Sequence, residues 1–215
     1  MPDWLFAQLP LAAAWTGYAA LHSLLAAMGT KDAILRRFPS AARCYRLGYN
    51  LLALTLLIPV LALARANPGP LLWQWSGVAQ WLAWALMIFA SFGLIVASRD
   101  YDLPAFLGLR QLGESSATID EPPFHIGCLH RHVRHPWYSL ALILLWAQPM
   151  SAAWLVSCVF ITLYFVLGSR LEEAKLAVLY GERYRRYRAR VPAFAPLPGR
   201  SLDAAEAVAL ERLDP

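Results

Sequence analysis

Apolar residues dominate three long stretches of the chain, Leu5–Met28, Leu47–Ala64 and Trp73–Ala97, and each reaches or approaches the roughly 20 residues that cross about 30 Å of hydrocarbon. Three membrane spans are predicted there. A fourth apolar region, Trp137 to Gly168, is interrupted by Gln148-Pro149. Its first arm keeps about 11 residues, which at 1.5 Å per residue cover only about half of the hydrocarbon core. A short helical hairpin is predicted for 137–168. From Leu171 to Val191 the pattern changes: Leu176, Tyr180, Tyr184, Tyr187 and Val191 recur at three-or-four spacing with arginines between them. That stretch reads as an amphipathic helix lying on the membrane surface. Pro192, Pro196 and Pro198 stop it, and Ser201 to Leu213 reads as a last short helix capped by Ser201. The fold class expected is all-α: a polytopic integral membrane protein of about five transmembrane helices. A single domain over 1–215 is expected.

Composition sharpens this picture. Of 215 residues, 59% are hydrophobic and 15% charged, and the mean hydropathy of +0.44 lies outside the usual soluble range. The net charge of +5 is gathered in clusters between apolar stretches. That distribution suits bilayer phosphates and not a nucleic-acid groove, so no nucleic-acid partner is expected. Cys44, Cys128 and Cys158 are scattered, odd in number and without paired spacing, which reads as reduced structural thiols. Only Asp3 precedes the first apolar segment, so it lacks the positive n-region of a signal peptide and reads as an uncleaved anchor.

Orientation follows from Lys and Arg in the loops. Lys31, Arg36, Arg37, Arg43 and Arg46 follow the first span, whereas only Arg65 follows the second before Trp73. The first loop is therefore expected to be cytoplasmic and the N-terminus outside. Three crossings return 98–135 to the cytoplasm, and the hairpin leaves the arginine-rich tail on the same side.

Directly before the hairpin stands His130-Arg131-His132-Val133-Arg134-His135-Pro136-Trp137-Tyr138. Proline disfavours helical geometry at His135 and is well tolerated as a first helical residue, so a loop over 130–135 and a helix from Pro136 are predicted. The first N–H groups of such a helix lack intrahelical partners and sit at the positive end of its dipole. An anionic ligand group fits there, beside Arg131 and Arg134, with Tyr138 stacking on it or hydrogen-bonding to it. The plainer reading is a belt of snorkelling cations and aromatics at the headgroups. His125, His130, His132 and His135 match no zinc spacing, and the neighbouring arginines repel a dication, so no metal is expected. His22, an ionisable residue inside the first span, reads equally as a functional group or as a helix-packing hydrogen bond.

Where the hairpin returns stands Arg170-Leu171-Glu172-Glu173. Antiparallel arms bring this group toward 130–138, so arginine, histidine and carboxylate are expected to converge. The acids suit an amino group or ribose of a ligand, and Arg170 an acidic substrate. Ordinary acid preference at a helix start accounts for them equally.

These residues carry a resemblance. Arg134-His135-Pro136-x-Tyr138, a short hairpin, Glu172-Glu173-x-x-Leu176, Tyr180-Gly181-Glu182-x-Tyr184-x-x-Tyr187 and Arg190-Val191-Pro192-x-Phe194 together resemble the signature of the isoprenylcysteine carboxyl methyltransferase and phospholipid methyltransferase superfamily. The N-terminal half is similar to a bacterial branch that includes methanethiol S-methyltransferases and NnrU-type proteins. It carries Leu21-His22-Ser23-Leu24-Leu25-Ala26, Tyr45-Arg46-Leu47-x-Tyr49-Asn50 and Asp102-Leu103-Pro104-Ala105-Phe106-Leu107-Gly108-Leu109-Arg110-Gln111. Pro104-Ala105 stands as an insertion against the thiol methyltransferases, which leaves the acceptor open.

The resemblance implies an S-adenosyl-L-methionine-dependent methyltransferase of a bacterial inner membrane, without a nucleotide-binding sheet domain. It implies a cofactor pocket lined by His130, Arg131, His132, Val133, His135, Pro136, Tyr138, Ile143 and Trp146, with Glu172 and Glu173 as acids on the cofactor. Arg170 and Arg134 are the implied catalytic residues, Arg170 contacting the acceptor. Methyl transfer from a sulfonium is an in-line displacement that asks for alignment and water exclusion. A carboxylate attacks without a base, while a thiol benefits from a cation that lowers its pKa. A lipid-like substrate or a small thiol or carboxylate fits, and oligomeric state is open. Non-catalytic readings of the same sequence are a cofactor-binding scaffold, a polybasic lipid binder, and a haem or quinone protein using His22 and the histidine cluster. On this reading Tyr138→Ala and Glu173→Ala weaken cofactor binding and leave the fold intact.

Overall fold

The computed structural model of the chain describes residues 3–113 and 123–213. Helices account for 75% of it: α1 (Asp3–Ala7), α2 (Leu9–Ala26), α3 (Met28–Arg37), α4 (Tyr45–Ala66), α5 (Gly77–Ser98), α6 (Leu103–Leu107), α7 (Arg110–Gly113), α8 (Pro136–Trp146), α9 (Ala152–Leu179), α10 (Gly181–Arg190) and α11 (Ala204–Glu211). Two short strands, β1 (Leu71–Trp73) and β2 (Met150–Ser151), pair antiparallel. Two compact units emerge. One gathers α1–α4, β1, α6, α7, β2 and α9 up to Ile161, and the other gathers α5, α8, the remainder of α9, α10 and α11.

Three helices among the described residues, α4, α5 and α9, are long and apolar enough to cross a membrane, and α2 with α3 makes a fourth if that bent pair is one span. At 22 residues, α4 and α5 each extend about 33 Å, enough for the hydrocarbon core. Their outward faces carry Leu54, Ile58, Ile88 and Phe92, all more than 60% exposed, as a lipid-facing surface requires. The short arm α8 has 11 residues, so the break at Gln148-Pro149 stands where the sequence put it. The described helices thus give three or four full spans plus this arm, against the expectation of about five.

Four boundaries differ from the sequence reading. The first span is not one helix: it breaks at Gln8 between α1 and α2, and at its end extended Ala27 turns the chain by 62° into α3, where polar Thr30, Lys31 and Asp32 leave the apolar track. The third span begins at Gly77 and not at Trp73, because Leu71–Trp73 pairs with Met150–Ser151. The helix of the second hairpin arm runs through 168–171 without a break to Leu179, since no proline intervenes and a lone glycine costs a helix only about 1 kcal/mol. The break comes instead at Gly181, whose φ of +57° closes α9. Finally, α11 is capped by Asp203, which forms a capping box with Glu206, and not by Ser201.

The apolar stripe of the tail is also used differently. Tyr184, Tyr187 and Val191 are buried with Ile126, Leu202 and Ala207, and Phe124, Leu176, Tyr180 and Leu210 pack against them. The stripe expected on the bilayer therefore closes a small protein core, because loop 124–126 and α11 supply the apolar partners. In the same unit α8 lies against α5. Buried Ala90 and Ala97 and the small Gly93 let the helices approach, and an added Cβ at Gly93 would lie 2.8 Å from a Leu140 methyl.

The other unit joins its motifs by hydrogen bonds. Asp102 caps α6 by accepting from the Ala105 N–H at 3.1 Å. Asn50 Nδ2 donates to the carbonyls of Phe106 and Leu107, each at 3.1 Å, and Arg46 Nε donates to Phe106 at 3.0 Å. The Tyr49 hydroxyl meets the His22 ring at 2.7 Å. His22, Tyr45–Asn50 and Asp102–Gln111, three separate stretches of sequence, are thus one network. Gly108 is its tightest point: φ is +90°, and a Cβ there would stand 2.5 Å from the Leu47 backbone nitrogen. Gly108→Ala is expected to destabilise the protein by about 1–3 kcal/mol, seen as a lower Tm in detergent. The exposed Gly113→Ala serves as the unaffected control.

Candidate functional site

Pro136 begins α8, and the Ser139 N–H makes the first helical bond to the His135 carbonyl at 3.0 Å. The preceding loop is held by backbone pairing. Arg134 N–H donates to Pro192 O at 2.8 Å and His135 N–H to Ala193 O at 3.0 Å. The Ser139 hydroxyl donates to Phe194 O at 2.6 Å, and the Tyr187 hydroxyl donates to His130 O at 2.7 Å. The Arg190–Phe194 stretch is therefore the frame for the His130–His135 loop.

At the centre lies Glu173, 5% exposed. Its Oε1 accepts from Arg134 Nε at 2.9 Å and Nη2 at 2.7 Å and lies 2.9 Å from His135 Nε2. Its Oε2 lies 3.3 Å from Arg188 Nε. Arg134 Nη1 donates to the carbonyls of Arg188 and Val191, where a cation complements the C-terminal end of α10. All three guanidinium nitrogens of Arg134 are engaged, which makes it a positioning group in this arrangement. Burying the Glu173 carboxylate and the Arg134 guanidinium is tolerable because each meets an opposite charge or a carbonyl.

Aromatic rings flank the cluster. Tyr138 stacks on His135 at 5.5 Å between centroids and on Phe165 of α9 at 4.5 Å. Glu172 is different from its neighbour: its side chain is 50% exposed, with Oε2 3.8 Å from His135 Nδ1. That carboxylate keeps acceptor capacity for a ligand.

The remaining sequence candidates scatter. Val133 and Pro136 are buried. Arg131 is half-buried with Nη2 3.4 Å from the Cys128 sulfur, while His132 is exposed. His130 lies 3.6 Å from Asp100, and burial holds its pKa below the usual value against the opposing pull of that carboxylate. Ile143 is half-buried along α8. Trp146 donates to Thr162 at 3.1 Å, about 12 Å beyond Tyr138 along the helix, so it is not brought to the cluster. Arg170 is exposed and makes no hydrogen bond or ion pair among the described residues. His125 turns to Glu211 at 3.0 Å, and among the described residues no group of His, Cys, Asp and Glu is placed to hold a metal ion.

Several partners were not singled out from the sequence: Arg188, Phe165 and Asp100. Arg188 is one of many arginines in α10, and only the approach of α10 to Glu173 distinguishes it.

Methanethiol S-methyltransferase 2 of Bradyrhizobium diazoefficiens is 33% identical over 189 residues, covering 83% of this chain and 69% of that protein. The chain belongs to the isoprenylcysteine carboxyl methyltransferase-like superfamily. Methanethiol S-methyltransferase of Crocosphaera subtropica is 28% identical over 60% of this chain and 56% of its own length. Nurim of Xenopus laevis is 29% identical over 77% of this chain and 61% of its own length. No family model matches the chain, and no solved structure matches it. Within this superfamily the chain is a membrane protein with methyltransferase relatives, and the Arg134–His135–Pro136 corner is where its short helix starts.

The burial of Glu173 revises one expectation from the sequence, that Glu173→Ala would leave the fold intact. Truncation strands Arg134 without its carboxylate, and breaking a buried pair costs about 3–5 kcal/mol. Glu173→Ala is therefore expected to lower Tm sharply. An unchanged Tm in detergent would show that the cluster is not structural.

Proposed function

We propose that this protein transfers a methyl group from S-adenosyl-L-methionine to a small thiol at a membrane surface. The likeness to methanethiol S-methyltransferase 2 over 83% of the chain carries this reading. The residues around Glu173 suit the cofactor. Glu172 offers a half-exposed carboxylate for an amino group or ribose hydroxyl, the Tyr138–Phe165 stack offers an aromatic surface for an adenine ring to pack beside, and Arg131 offers a cation for a carboxylate. S-adenosyl-L-methionine would supply an activated methyl group on sulfur.

The protein's own part is alignment. Glu173, Arg134 and His135 hold the loop against α9 and α10, so that ligand groups meet side chains already in place. When bound, the donor would give its methyl group to the acceptor sulfur, its own sulfur–carbon bond breaking as the new one forms, and the thiol proton would leave to water. Arg170, exposed one helical turn before Glu173, is the cation proposed to draw the acceptor toward its thiolate form. We place the site on the cytoplasmic face of a bacterial inner membrane, with the N-terminus outside, following the arginine distribution of the loops. Both compact units belong in this reading to one methyltransferase domain.

The test is a methyl-labelled S-adenosyl-L-methionine assay on the detergent-purified protein with methanethiol, a prenylated cysteine and a short-chain fatty acid offered separately. Label in dimethyl sulfide is expected. Label in the prenylcysteine or fatty-acid ester would replace the thiol by a carboxylate, and no label with bound cofactor would make the protein a non-catalytic scaffold. Glu172→Ala should weaken cofactor binding about tenfold or more, the scale of one charge-assisted hydrogen bond, with Tm unchanged. Calorimetry on the purified variant measures it.

A further inference from the structure

Tyr184 lies on α10, three residues before Tyr187. The residue is 2% exposed, and its oxygen is buried without a hydrogen-bond partner among the described residues. Buried polar atoms nearly always find a partner, because leaving one unpaired forfeits the hydration it had in water. The ring is fixed on α10 between Phe124, at 6.4 Å, and Tyr187, at 5.9 Å. Tyr187 illustrates the contrast: its hydroxyl donates to His130 O and ties the loop.

Tyr184 stands one helical turn before Arg188 on α10, and Arg188 Nε lies 3.3 Å from Glu173 Oε2, so the ring is beside the Glu173 cluster. Burial and then the Glu173 carboxylate push its pKa up, so it stays a neutral donor. Neither Glu173 oxygen accepts from it: Oε1 faces Arg134 and His135, and Oε2 faces Arg188. An unused donor thus stands rigidly beside the cluster from which Glu172 projects.

We propose that the Tyr184 hydroxyl is a ligand-binding group of this site, donating a hydrogen bond to a carboxylate or ribose oxygen of the nucleoside cofactor. The inference rests on the cofactor reading given above. It explains an otherwise unpaired polar atom, since the bond is completed when ligand is bound. Tyr184 is then a specificity residue for the cofactor's oxygens, with no part in activating the acceptor.

Tyr184→Phe separates this from a structural role, because it removes one oxygen and keeps the ring. S-adenosyl-L-methionine and S-adenosyl-L-homocysteine are titrated into the full-length protein in detergent, and Tm is measured without ligand. Affinity for both should fall about tenfold, while the ligand-free Tm is unchanged or higher. Tyr187→Phe should lower Tm instead. Affinity within twofold of the wild type overturns the proposal, and so does a lowered Tm with unchanged affinity, which would mean that the hydroxyl is satisfied by a buried water. Wild-type protein that binds neither ligand would remove the cofactor reading itself, whereas wild type and Tyr184→Phe binding equally well would remove only this inference.

Discussion

A carboxylate cannot be taken out of water alone, and Glu173 is nearly fully buried. It therefore gathers Arg134, His135 and Arg188, and Arg134 in turn reaches the last carbonyls of α10. Three separate stretches of the chain meet because one desolvated charge must be satisfied. A buried ionic cluster adds little net stability over an apolar core. Its effect here is registry: it fixes which turn of α9 faces the loop before α8, and so where Tyr138 and Glu172 stand.

The bilayer sets the other constraint. Helices α4, α5 and α9 each carry an apolar stretch long enough to cross a membrane, and a helix keeps its backbone hydrogen bonds within itself, as lipid demands. The 11 residues of α8 are too few to do this across the whole core. Its companions are α5, through Gly93 and Leu140, and α9, through Trp146–Thr162 and Tyr138–Phe165. A helix of this length keeps its start, the Arg134–His135–Pro136 corner, beside the Glu173 cluster.

Comparing Glu172 with Glu173 shows how adjacent, chemically identical residues divide their labour. A step of about 100° around α9 turns one carboxylate into the buried centre of the fold and leaves the other half-exposed beside His135. Tyr184 and Tyr187 divide in the same way on α10, one hydroxyl binding the His130 carbonyl and the other left unpaired. Position relative to a neighbouring element decides the role in both pairs.

Apolar length and periodicity were local properties, so the sequence alone determined the all-α membrane class, the break at Gln148-Pro149 and the helix start at Pro136. Motif order alone determined the superfamily. Boundaries set by long-range partners were not legible: the strand at Leu71–Trp73 exists only because Met150–Ser151 pairs with it. The tyrosine stripe of the tail looked lipid-facing because amphipathicity does not name its partner, which proved to be Ile126, Leu202 and Ala207. Likewise the sequence could mark Arg134, Glu172 and Glu173 as interesting, yet assigning one acid to the core and the other to solvent required the rotation of α9 against the loop. Tertiary structure decides such matters because burial, unlike helical propensity, is a property of pairs of elements.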